Sequence, residues 1–397
     1  MPIKSPFHAC TSKLNRSMSW RDWGGFFAAE KYGATHDLEY HAFRQSAGLM
    51  DYTPLFKYEV TGKDAANFLA RVMVKDIRKL KVGRVTYCCW CDDDGDVIDD
   101  GTITRFGREH YRVTAAEPSF YWLERYRRGF DVSIHDSTEE LGALSLQGPR
   151  SRDILAECSP GDGIEELKFF GMIETKLGGC DVSISRTGYT GDLGYEIWCN
   201  NDDGLPVWEE IMSKGEPYRI RPCGLDALDI TRIEAGFIMN GVDYYSANHV
   251  MIDARKSTPY ELGLGWCINL DREPFNGQSA LKREYDKGSK WATIGIVYDW
   301  DELEANYHEE GLTPEVSSNA WRDAIPLYDP DDVQVGYATS GTWSPILKKN
   351  IAICTVRKSH SRIGTNLRIE HTVMFKRKRV KVEVVKLPFF NPERKKD

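Results

Sequence analysis

Three stretches of this chain bring together residue types that can do chemistry. The first is Gly95-Asp96-Val97-Ile98-Asp99-Asp100-Gly101-Thr102-Ile103. It puts two adjacent carboxylates just past the turn residues Asp93, Asp94 and Gly95, between β-prone runs at 85–90 and 102–104, so it reads as a hairpin. Neighbouring side chains on a strand point to opposite faces, so at most one of Asp99 and Asp100 is expected inside. A carboxylate there is costly to bury unless it is paired or has a task; the plain alternative is an acidic surface hairpin. The second stretch is Ser185-Arg186-Thr187-Gly188-Tyr189-Thr190-Gly191-Asp192-Leu193-Gly194-Tyr195-Glu196-Ile197. Its three glycines allow close backbone approach to a ligand. Glu196 follows on a strand, where its carboxylate can accept two N–H bonds from an amidine-like heterocycle edge such as a pterin; the alternative is a turn with a paired surface Glu. The third is Asp229-Ile230-Thr231-Arg232-Ile233-Glu234-Ala235-Gly236, where Arg232 has apolar neighbours and Glu234 beside it, and the plain reading is a helix-surface ion pair.

Other chemistries lack their residues. There is no G-x-x-x-x-G-K-[ST] loop and no H-E-x-x-H pair. Cys88-Cys89-Trp90-Cys91 lacks the spacing of metal ligands and reads as a buried strand. His110, His135, His249, His360 and His371 are isolated in sequence, and no metal ligand is assigned among them.

The elements that must position these residues follow from periodicity. Residues 1–21 read as a polar arm and 23–48 as helical, with Phe26, Phe27, Tyr32, Leu38, Tyr40 and Phe43 as core candidates. Strands are expected at 48–52, 56–60, 141–147, 180–186 and 195–199. Helices are expected around 65–72, 118–129, 151–157, 205–213, 223–235 and 276–286. Residues 236–264 form a long irregular stretch rich in Tyr, Asn and His; such loops tend to be functional. From Trp291 onward short strands and turns without helices suggest a small all-β domain. The boundary is set near 287, giving units 1–287 and 288–397, and the first unit reads as α+β layers rather than a doubly wound sheet.

Bulk properties narrow the class. A chain of 397 residues exceeds one ordinary core, so two or three domains are expected. Its 52 basic and 60 acidic residues give a net charge of −8, which argues against a nucleic-acid-binding body. No apolar leader region and no run of 18 apolar residues are present, so neither secretion nor a membrane span is expected. Ten scattered cysteines read as free thiols in a reducing cytoplasm.

Taken in order, the stretches resemble the glycine-cleavage T-protein (aminomethyltransferase) family of tetrahydrofolate-dependent enzymes. Residues 95–103 resemble its G-x-[IV]-x-[DS]-D hairpin, Leu146-Gln147-Gly148-Pro149 its Q-G-P turn, and 186–197 its R-x-G-Y-T-G-E-x-G-x-E-I signature. Cys223-Gly224-Leu225 with 232–236 resembles the G-L-x-A-x-D-x-L-R-L-E-A-G helix. Tyr337-Ala338-Thr339-Ser340-Gly341 through Lys348-Lys349-Asn350 resembles the late T-S-G-x-x-S-P-x-L-K-K-N run. The resemblance spans about residues 45 to 390. It implies a three-lobed ring: two α+β folate-binding lobes plus a C-terminal small β-barrel around a central channel.

The resemblance also implies roles. Asp100 falls on the catalytic aspartate beside folate N5, Glu196 and Arg232 on positions that hold the pterin, and Tyr189 on an aromatic lining the folate site. Three features depart from the glycine-cleavage members: Ala115 where they carry Asn, Asn240 where they carry Tyr, and a longer 241–265 segment with Tyr244, Tyr245, Asn248, His249 and Arg255. These positions, Ala115, Asn240 and Tyr244 foremost, belong to the donor side. They favour a small methylated donor (S-, N- or O-methyl) over an aminomethyl group on a lipoyl carrier protein. With no FAD-binding module in the chain, an oxidative sarcosine-type route in cis is not expected. Two alternatives stand beside this demethylase-like reading: the glycine-cleavage aminomethyltransferase, which needs the lipoyl carrier, and a non-catalytic folate-binding regulatory or repair protein.

Overall fold

A computed structural model describes residues 1–397. Its first sheet has five antiparallel strands, in the order Arg84–Cys91, Val97–Arg105, His110–Ala115, Phe56–Thr61, Ser133–Asp136. Helices Ala65–Val72 and Phe120–Tyr126 cover one face through Phe68, Leu69, Val72 and Leu123. The second sheet has six strands, in the order Met172–Leu177, Cys180–Ser185, Gly194–Asn200, Leu141–Gln147, Gly48–Asp51, Arg221–Pro222. Helices Ser151–Cys158 and Gly204–Gly215 pack on it. Strand Gly48–Asp51 precedes the whole first sheet in sequence, so the first lobe is inserted between strands of the second.

The third lobe is a closed barrel of six antiparallel strands, Trp291–Tyr298, Lys349–Arg357, Gln334–Ser344, Ile325–Tyr328, Asn366–Val373 and Lys376–Val385. Closure leaves no unpaired edge, and the alternating Ile, Val and Leu of these strands fill the interior. The α+β class with two lobes and a barrel is therefore the observed architecture. No helix is long and apolar enough to cross a membrane.

Several local expectations need correction. Residues 23–48 are not one helical region: strands Trp20–Trp23 and Phe26–Ala29 pair as a hairpin before helix Asp37–Gln45. Gly24 and Gly25 both take positive φ there, a conformation that turns the chain back on itself. Leu38 is exposed, whereas Tyr40 and Phe43 are buried. The supposed arm contains helix His8–Leu14, held by the buried Phe7. The barrel region does hold a helix, Trp300–His308, whose Asp299 side chain caps Glu302 N–H and whose Leu303 and Tyr307 join the barrel core. Cys88 and Trp90 face one hydrophobic core and Cys89 and Cys91 another, as strand alternation requires.

Candidate functional site

The hairpin strand Val97–Arg105 carries both central carboxylates. Its pairing with Arg84–Cys91 slips at one point: Trp90 opposes Asp99 while Cys91 opposes Val97, so Ile98 is an extra residue. A bulge re-aims side chains and bends the strand. Past the bulge, Asp99 opposes Trp90 and Asp100 opposes Cys89 in regular register, and these two residues belong to different cores; both faces of the strand are covered, so the expectation that at most one acid lies inside fails. Asp99 is fully buried. Its Oδ2 accepts from the N–H groups of Ala116 at 3.0 Å and Glu117 at 2.9 Å, and its Oδ1 from Asn240 Nδ2 at 2.8 Å. Asp100 keeps partial access to solvent yet is ringed by protein, as a group lining an internal cleft would be. Tyr87 donates to its Oδ2 at 2.7 Å. The Tyr244 hydroxyl donates to Asp100 Oδ1 and lies 3.3 Å from Asp99 Oδ1, so one phenol bridges the pair. Beside Asp100, Gly101 is needed because a Cβ would overlap the Thr114 carbonyl of the neighbouring strand.

Burial raises both carboxyl groups above the usual carboxylate range, Asp99 to about 7, with the neighbouring charge of Asp100 adding to it. The Tyr87 and Tyr244 phenols are pushed up by burial and then by Asp100, so both stay protonated and remain donors. Two acids that resist simultaneous ionisation beside two fixed O–H donors can hold a single proton or a single negative charge at one point.

The glycine-rich turn is built around Gln147. Its Nε2 donates to Thr187 O at 3.2 Å and its Oε1 accepts from Thr190 Oγ1 at 2.9 Å. A Cβ at Gly188 or Gly194 would overlap its amide group. The turn thus presents Tyr189 from a fixed base and delivers Glu196 onto the sheet. Glu196 is buried and raised by burial, and Thr187 Oγ1 donates to its Oε2 at 2.7 Å. Two buried hydroxyls near it, Ser145 and Tyr52, face each other and bond to no other group; Ser145 is the cross-strand partner of Glu196, and the Glu196 charge raises the Tyr52 phenol after burial. Tyr189 stacks on Phe237 at 5.4 Å and 26°, and its hydroxyl donates to Ile238 O. After burial, Arg232 pulls the Tyr189 phenol down and Asp100 pushes it up, so Tyr189 lies within electrostatic reach of both.

Arg232 comes from helix Leu225–Glu234 and is fully buried, not a surface ion pair. Its Nε donates to Asp229 Oδ1 at 2.8 Å and its Nη1 to Asp243 and to Phe237 O at 3.2 Å. Its Nη2 has no partner. Asp243 also accepts from Met239 N–H, Thr339 Oγ1 and Ser340 Oγ, so the barrel strand holds the acid that holds Arg232.

The donor-side residues divide. Asn240 is tied to Asp99 and lines a cavity of about 330 Å3 with Glu117, Tyr245, His249 and Arg255. Tyr244 is buried against the acid pair. Ala115 is packed in the first-lobe core and does not line that cavity. Asp99, Tyr87, Thr187 and Asp243 were not among the sequence candidates. The Asp99–Asp100 doublet was the one visible signal; Tyr87 and Thr187 became legible only through their bonds to Asp100 and Glu196, and Asp243 through its contacts with the barrel.

Comparison with known proteins places this geometry among relatives. The family model described as the GCVT N-terminal domain matches residues 9–272, and that of the glycine cleavage T-protein C-terminal barrel domain matches 311–391. Proteins named aminomethyltransferase from Bacillus subtilis (strain 168) and from Bacillus cytotoxicus are both 32% identical over 375 residues. These matches cover 93% of this chain, and 94% and 93% of the relatives. The crystal structure of glycine cleavage system aminomethyltransferase T from Bartonella henselae shares the fold, with a TM-score of 0.83 at 23% identity over 98% of this chain and 99% of that one.

Proposed function

The chain belongs to the glycine cleavage T-protein family, and on that premise we propose a tetrahydrofolate-dependent one-carbon transferase that takes a methyl group from a small donor. The observation that carries this reading is the buried Asp99–Asp100 pair under two phenol donors, with Tyr189 in electrostatic reach of both Asp100 and Arg232. The residues present suit a reduced pterin. The Arg232 Nη2 donor is buried without a partner. Glu196 supplies an acceptor for N–H groups and Tyr189 an aromatic wall. When bound, tetrahydrofolate supplies a nucleophilic amine at N5.

In this reading Asp100 is the catalytic residue. Its carboxylate, fixed by Tyr87 and Tyr244, stabilises positive charge that develops on nitrogen as the carbon is transferred. Asp99 holds the companion proton and, through Ala116, Glu117 and Asn240, fixes the strand against the donor cavity. Glu196 and Arg232 orient the heterocycle, and Tyr189 lines it. Asn240 and Tyr244 face the donor; Ala115, lacking a polar side chain, leaves that side to them. The cavity of about 330 Å3 beside Asn240 has the scale of a small molecule. The division into units 1–287 and 288–397 and a cytoplasmic location go with this reading.

A second reading, aminomethyl transfer from a lipoyl carrier protein, is favoured by the names of relatives that match over 93% of the chain. The test is turnover of tetrahydrofolate with a panel of S-, N- and O-methylated donors, with and without lipoylated carrier, read by mass. Formation of 5-methyl-tetrahydrofolate without carrier supports the first reading. Methylene-tetrahydrofolate formed only with carrier supports the second, and no folate product in any arm contradicts both.

A further inference from the structure

The chain is acidic overall, yet Lys75-Asp76-Ile77-Arg78-Lys79-Leu80-Lys81 packs four cations and one anion into seven residues. This run follows helix Ala65–Val72 and borders a cavity of about 200 Å3 lined by Lys75, Asp76, Lys79, Thr86 and Asn269 among others. Its single acid is already engaged. Arg78 bonds both oxygens of Asp76, at 2.7 and 3.0 Å, and also reaches Glu273 at 2.6 Å. Three ammonium groups remain, and two of them, Lys75 and Lys79, line the cavity. Lys75 Nζ donates to Thr86 Oγ1 at 2.7 Å, stands 5.3 Å over the Trp266 ring, and makes no ion pair. Lys79 lies 3.8 Å from Asp76 with its side chain 78% exposed.

This basic rim is connected to the acid pair through two aromatic rings. Trp266 stacks on Tyr87 at 6.0 Å and 20°, and the Tyr87 hydroxyl donates to Asp100. From Asp100 outward the path therefore runs over one phenol, one indole and then a cation. A ligand with a cationic or neutral reacting head and an anionic far end would lie along it with complementary charge. Folates have that polarity: the pterin is at one end and glutamyl carboxylates, extended by further γ-linked glutamates, are at the other.

We propose that Lys75 and Lys79 form an anion-binding subsite for the glutamyl and polyglutamyl carboxylates of the folate co-substrate, Lys75 taking the inner group and Lys79 an outer one. This rests on the folate reading above. Partly exposed ammonium–carboxylate contacts are individually weak and are screened by salt. Two of them together set a preference of about tenfold for a longer tail.

The test is titration calorimetry of the full-length protein with tetrahydropteroyl-monoglutamate and -triglutamate, in low salt and in about 0.5 M salt. The triglutamate is expected to bind about tenfold tighter in low salt, with the difference shrinking in high salt. The double variant Lys75→Gln/Lys79→Gln is expected to lose the difference while holding monoglutamate affinity within about threefold. Equal binding of the two compounds by the wild type, or a preference unchanged in the variant, would overturn the subsite. The salt arm needs no variant and stands if the variant misfolds. Failure of either compound to bind the wild type would overturn the folate reading itself, and the subsite with it.

Discussion

Asp99 contributes to the site and to its cost. Its carboxyl titrates at about 7 in the folded protein, raised first by burial and then by Asp100, against about 4 for an unfolded aspartate. Between these values the folded state holds a proton that the unfolded state has lost. The stability this contributes is fully present below about pH 4 and is lost as pH rises through about 7. Asp99→Asn removes the titration, so its melting temperature should fall less than the wild type's between about pH 5 and about pH 8. Thermal melts across that range check this, and parallel slopes would contradict it. The absolute stability of the variant is not the readout, because an Asn amide would face Asn240 Nδ2. The sequence named Asp100 as the candidate acid, and the structure sets it between the Tyr87 and Tyr244 hydroxyls. It missed Asp99 because alternation implies one buried and one exposed face, whereas both faces of this strand are covered.

At the scale of elements, the glycine-rich turn carries the most specific prediction. Gln147 threads between Gly188 and Gly194 and holds Thr187 and Thr190. Gly188→Ala pushes that amide out, which should cost about 1–3 kcal/mol. It should raise KM for tetrahydrofolate several-fold while kcat at saturation changes little, because Tyr189 and Glu196 shift but Asp100 does not. Steady-state kinetics with a folate titration checks it; a wild-type KM would contradict the role given to the turn. The half-buried strands and the glycine turn were legible because period-two alternation and turn residues are local signals. Helix Trp300–His308 was not, since it is mostly polar and only Leu303 and Tyr307 face inward. The hairpin ahead of Asp37 was hidden by consecutive aromatics that satisfy both periods.

At the scale of the whole molecule, the barrel is joined to the second lobe through buried charge. Asp243 collects Arg232 from one lobe and Thr339 and Ser340 from the barrel. Ser344 of the same barrel strand donates to Glu234 at 2.6 Å, and Glu234 also takes Arg44. Removing one member of a buried pair costs about 3–5 kcal/mol because the other is left uncompensated. Asp243→Ala should therefore loosen the barrel and free Arg232. Urea unfolding followed by tryptophan fluorescence and circular dichroism should change from coincident to separated transitions. Coincident transitions at unchanged midpoint would contradict the coupling. This joint could not be read from the sequence. Asp243 sits in the irregular 236–264 stretch, about 96 residues before its barrel partners, and no local pattern marks it. The insertion of one lobe between strands of the other was likewise invisible, because strand Gly48–Asp51 reads locally like any other.

The central claim is that a carboxylate at position 100 drives carbon transfer to a folate. The most direct measurement is the single-turnover yield of methylated tetrahydrofolate by wild type and Asp100→Asn, at saturating folate and with the best donor from the panel, followed by mass. A rate lower by about 10²–10³ is expected in the variant, with folate affinity and fold retained. A variant that turns over at the wild-type rate would contradict it.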